Sequence, residues 1–181
     1  MESVGFDQRG DAATRAEHSG AISAATDGTA QRGLRASDVA SPEALVRACY
    51  DVISGPAGPR DWERFLALFH PEFGRLVPVR TSRDGSTHSV FGITPAQYVE
   101  NASVTFEANA FYERELSLRV QRFGAVAHAF SAYASYTSDA PDAEPVDRGV
   151  NSFQLFFDGA RWFVLSISWD SEREGVVLEV G

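Results

Sequence analysis

The sequence predicts an α+β domain, with three helices packed on an antiparallel sheet of four long strands plus a short hairpin. Three observations carry this. Apolar residues recur at helical spacing behind clear capping signals up to about residue 110. From Phe111 onward the period changes to two. Gly- and Pro-containing turns then divide the chain into consecutive strands, which is the pattern of segregated helices and sheet.

Residues 1–40 are rich in Ala, Gly, Ser, Thr and Asp and lack a hydrophobic period, so they are expected to be a disordered extension before one folded domain over 41–181. Ser41-Pro42-Glu43 starts the first helix: a capping hydroxyl, a proline at the first position and an acid in the first turn. Leu45, Ala48, Cys49, Val52 and Ile53 form its apolar stripe, and Gly55-Pro56 ends it. Asp61 starts a second helix that buries Trp62, Phe65, Leu66 and Phe69 and stops at His70-Pro71. Arg75 to Val79 and Ser86 to Phe91 flank Asp84-Gly85 as a hairpin. Thr94-Pro95-Ala96-Gln97 is a capping box opening a third helix that runs to about Ala110. Four strands follow: Phe111 to Val120, Ala125 to Tyr136, Val146 to Phe157 and Arg161 to Asp170.

Alternation sorts each strand into two faces. In the last two strands, Asn151, Phe153, Leu155 and Phe157 share a face with Phe163, Leu165, Ile167 and Trp169 if the Asp158-Gly159 turn is a three-residue loop. A two-residue loop would swap the faces. The same rule puts Val126, His128 and Phe130 inward with Arg114, Leu116 and Leu118, and Glu113, Glu115, Tyr133 and Gln154 outward.

Composition narrows the function. The net charge is −9 with dispersed basic residues, which disfavours nucleic acid and anionic membranes as partners. All sixteen basic residues are Arg. Without Lys there is neither a P-loop lysine nor a Schiff-base amine, so enzyme-bound pyridoxal phosphate is excluded. The single Cys49 allows no internal disulfide and suits a cytoplasmic location. The four His residues, one of them His18 in the extension, show no i, i+4 spacing, so no metal is expected. No cofactor fingerprint is present either.

The element order, the stretches Phe-Gly-Ala-Val-Ala-His-Ala-Phe-Ser-Ala-Tyr (123–133) and Arg-Gly-Val-Asn-Ser-Phe-Gln-Leu (148–155), and the closing Arg-Trp-Phe-Val resemble the nuclear transport factor 2-like superfamily, particularly its SnoaL-like members. The resemblance spans about residues 41–172. It implies a strongly bent sheet in a cone-shaped, cystatin-like roll, a hydrophobic pocket between the sheet and the helices, and a homodimer formed through the outer sheet face. It also implies either a cofactor-independent isomerase, dehydratase or cyclase acting on a small apolar molecule, or a binding module without chemistry.

Under this reading His128 is the candidate general base, the alternative being a paired core histidine. Asn151 is placed to polarise a substrate oxygen or, equally, to satisfy backbone groups. Arg114 offers a carboxylate clamp or a salt bridge. His70, Trp62, Tyr98, Phe153 and Trp169 complete the expected pocket, with core packing as the plainer role for the aromatics.

Overall fold

The structure, a computed structural model, describes residues 33–82 and 84–178. Most of the segment expected to be a disordered extension, His18 included, lies outside this range. Its last part is folded: Ala36–Val39 forms a 3-10 turn that buries Asp38 and Val39, and Leu34 packs on the core.

Each helix begins where a side chain can satisfy its free N–H groups. Ser41 Oγ accepts from Ala44 N (3.1 Å) at the start of α1, Pro42–Ile53. Asp61 accepts from Arg64 N (2.9 Å) at the start of α2, Trp62–Leu68. Before α3, Pro95–Ala108, Thr94 and Gln97 exchange hydrogen bonds in a complete capping box.

The strands are β1 (Arg75–Thr81), β2 (His88–Val90), β3 (Tyr112–Phe123), β4 (Val126–Tyr136), β5 (Asp147–Phe157) and β6 (Trp162–Ser171). They form one sheet in the order β2-β1-β6-β5-β4-β3. The last four pair antiparallel, as expected. The hairpin is not separate from them: β1 joins β6 in parallel, Leu76 opposite Ile167, so the bent sheet is mixed. A parallel join between segments about ninety residues apart leaves no local sequence signal.

Two bulges reset the expected faces. In β3, Glu115 pairs with Tyr133 but Ser117 pairs with Ala132, leaving Leu116 as an extra residue. In β6, Ser166 pairs with Gln154 but Val164 pairs with Leu155, so Leu165 is extra. The turn between β5 and β6 holds four residues rather than three, because Phe157 faces Trp162. Trp162 and Val164 are therefore the fully buried residues near that turn, in place of Phe163 and Leu165. Beyond the bulge, Ile167 and Trp169 return to the inner face as expected.

In β4 the inner set is Ala127, Ala129, Ser131 and Tyr133, all nearly inaccessible, while Val126 and Phe130 are exposed. The assignment of His128 to the inner face is thereby reversed. The reason is steric: α1 packs on this strand through Tyr50, whose hydroxyl reaches Ser131 (2.7 Å), and such an approach needs small residues beneath it.

Candidate functional site

A cavity of about 400 Å³ lies between the inner sheet face and the three helices, within the size range of small-molecule sites. Eight of the seventeen described residues that line it are aromatic, and its polar wall is built from β3, β4 and β5. There Glu113 pairs with Ser135, and Ser135 pairs with Asp147, forming one cross-strand row whose three side chains all reach the cavity.

Glu113 is held by its neighbours. Gly55 and Phe111 exchange backbone hydrogen bonds (2.7 and 3.0 Å), pinning the start of β3 to the end of α1. Ser54 Oγ accepts from Glu113 N (2.9 Å) and donates to Tyr50 O (2.7 Å). At the side chain, Asn151 Nδ2 donates to Glu113 Oε1 (2.9 Å) and to the Tyr50 hydroxyl (3.2 Å), which in turn donates to Ser131 Oγ. Asn151 thus spends one amide proton on the acid and the other on the Tyr50 hydroxyl. Among the described residues, Glu113 Oε2 has no hydrogen-bond partner.

The apolar surroundings desolvate the carboxylate and push its pKa from the usual 4.5 up to about 7; the Asp147 charge adds to this and the Asn151 hydrogen bond opposes it. Asp147 sits in the same wall on a different footing. Its Oδ2 accepts from the hydroxyls of Tyr133 (3.0 Å) and Ser171 (2.9 Å). Tyr98, on α3, lines the cavity with its ring stacked on Phe65 (5.2 Å), and burial raises its phenol pKa.

Of the residues named from the sequence, Asn151, Tyr98, Phe153 and Trp169 line this cavity. Four do not. His128 sits on the opposite face, its Nδ1 2.7 Å from Gln154 Nε2, because β4 has the reverse parity. Arg114 is outward as well, paired with Asp139 (3.0 Å) and lying over the Tyr136 ring, since Leu116 shifts the alternation of β3. His70 packs against Phe73, Phe156 and Phe163 outside the cavity, its Nδ1 accepting from Glu72 N and Phe73 N. Trp62 stands one layer behind the wall, stacked on Phe106 (6.0 Å) and edge-on to Phe65.

Sequence reasoning missed Glu113, Asp147, Tyr50 and Tyr133. The signal available was an acid at Glu113, an odd position, in a strand whose later apolar residues Leu118 and Val120 fall at even positions, an offset that a bulge explains. Among the described residues no cluster of His, Cys, Asp and Glu has the geometry of a metal site, and no helix is long and apolar enough to cross a membrane.

No family model matches the chain, and no curated protein matches it. Solved structures do resemble it. A nuclear transport factor 2-like protein of unknown function from Pseudomonas putida superposes with a TM-score of 0.55 at 12% identity, covering 82% of this chain and 97% of its own. A candidate dehydratase of the nuclear transport factor 2-like family from Streptomyces avermitilis gives 0.55 at 12% identity, with 75% and 96% covered. A Caulobacter vibrioides protein with a cystatin-like fold gives 0.52 at 14% identity, with 74% and 88% covered. Identities this low speak for architecture alone, and the chain accordingly has the cystatin-like, nuclear transport factor 2-like fold that its order of elements announces.

Proposed function

We propose that this protein binds a small, mainly apolar molecule in the cavity and moves a proton on it, with Glu113 as the general base and acid. The observation that carries this is a carboxylate in an aromatic pocket, one oxygen fixed by Asn151 and the other without a hydrogen bond among the described residues, with its pKa near neutrality. An acid poised near the working pH can take a proton from one atom of a bound molecule and return it to another. That chemistry suits an isomerase or dehydratase without a cofactor. Asn151 is the positioning residue, and the Tyr98 hydroxyl is a donor available to a substrate oxygen.

Tetralone, an apolar bicyclic ketone with acidic α-protons, tests the proposal. In deuterium oxide, the wild-type protein should accelerate exchange of those protons, as followed by NMR. Glu113→Gln should slow this by a hundredfold or more, in line with the usual contribution of a positioned base of about 10²–10⁴. Equal exchange by the two proteins would remove Glu113 from the role.

The outer face supports a second part of the reading. Val126 (54% exposed) and Phe130 (49%) stand beside the His128–Gln154 pair on an otherwise mixed polar surface, which suits pairing of two copies through the sheet. Sedimentation should then show a dimer that Phe130→Glu dissociates. A lone buried thiol accords with a reducing, cytoplasmic setting.

A further inference from the structure

The cavity's charge is one-sided. Glu113 and Asp147 both line it, and among the described residues that line it there is no Arg and no His. The groups facing Glu113 are Cys49 and Tyr50 from α1, Tyr98 from α3, Tyr133 from β4 and Asp147 from β5, none of them a cation. An anionic ligand would meet two acids and, among the described residues, no cationic partner. The remaining wall is rich in ring faces, with Tyr50, Phe65, Tyr98, Phe111 and Trp169 among them. Ring faces and carboxylates share one preference, which is for positive charge.

The two acids are not equivalent. Glu113 is wedged among α1, α3 and β5 and is clamped by Asn151. Asp147 is the first residue of β5, next to the exposed Val146 that also lines the cavity, so it belongs to the mouth. Its Oδ2 is anchored by Tyr133 and Ser171, while Oδ1 makes no hydrogen bond among the described residues. Two strand spacings, about 10 Å, separate the acids along the row, enough for a bicyclic body between them.

We infer that the molecule taken up by this cavity is an apolar amine, its ammonium group docked on Asp147 at the mouth and its hydrocarbon body lying among the aromatic rings against Glu113. This rests on the cavity's being a small-molecule site, as proposed above, and adds the chemical class of the occupant. Asp147 is then the residue that sets specificity, and Glu113 keeps the proton-transfer role.

Calorimetric titration of the whole protein at about pH 8 with naphthylethylamine, naphthylethanol and naphthylpropanoic acid tests it. The three share an apolar body and differ in the charge of the head group. The amine should bind at least tenfold tighter than the alcohol, and the acid weakest. Asp147→Asn, which keeps an oxygen for Tyr133 and Ser171, should bring the amine to within about twofold of the alcohol. If the alcohol binds as tightly as the amine, or the preference survives in Asp147→Asn, the inference fails while the cavity remains a small-molecule site. If none of the three binds, both readings fall together.

Discussion

Glu113 shows what one side chain can do to the pH response of a protein. Its pKa is about 7 when folded and 4.5 when free in solution, so between those values the folded chain holds a proton that the unfolded chain has released. Stability must therefore fall as pH rises through that window and level off above it, by at most roughly 3 kcal/mol. Comparing urea midpoints at pH 5 and pH 8 exposes this: Glu113→Gln should lose less stability than the wild type over that interval, and equal losses would place the native pKa near the ordinary value. The face read from alternation matches the structure at Asn151 and Phe153, where the ladder of β5 with β4 runs without a break. The reading failed at His128 for a physical reason. Apolarity was taken to mark the inner face, but α1 lies so close to β4 that Ala127, Ala129 and Ser131 fill the interior and the larger Val126 and Phe130 are turned out.

At the scale of elements, helix starts were readable because a cap is a local hydrogen bond between residues three apart, as with Ser41 and Ala44 or Thr94 and Gln97. Strand existence was readable for the same reason of short range. The bulges at Leu116 and Leu165 and the parallel join of β1 to β6 were not, since they depend on partners distant in sequence. Close approach between β5 and β6 also has a testable cost. A methyl group on Gly149 would collide with the Asp170 carbonyl and lie 2.8 Å from the Tyr133 hydroxyl. Gly149→Ala should destabilise the fold by about 2 kcal/mol in chemical denaturation, through overpacking, and displace Tyr133 from Asp147. An unchanged midpoint would show that the strands separate freely there.

For the whole molecule, the decisive link lies at the start of the domain. Arg64 Nε and Nη2 donate to the two oxygens of Asp38 (2.9 and 3.0 Å), and Nη1 donates to Asp51, so one guanidinium ties the 3-10 turn, α1 and α2 together. Burial opposes ionisation of Asp38, but the hydrogen bonds and charge of Arg64 outweigh it and hold its pKa below the usual value. Asp38→Ala would leave the buried guanidinium short of a partner and should cost about 3 kcal/mol of unfolding free energy. A loss below about 1 kcal/mol would show Asp51 alone to be sufficient. This segment read as disordered from composition because its anchoring acid is matched by an arginine twenty-six positions later, a pairing that no local pattern reveals.

The extra residue in β3 has a consequence for descent as well as for shape. Upstream of Leu116 the odd-numbered side chains look into the molecule, and downstream the even-numbered ones do, so an acid and an oily patch share one interior although their positions are out of step. A descendant that lost this single leucine would have to evict either the carboxylate or Leu118 and Val120.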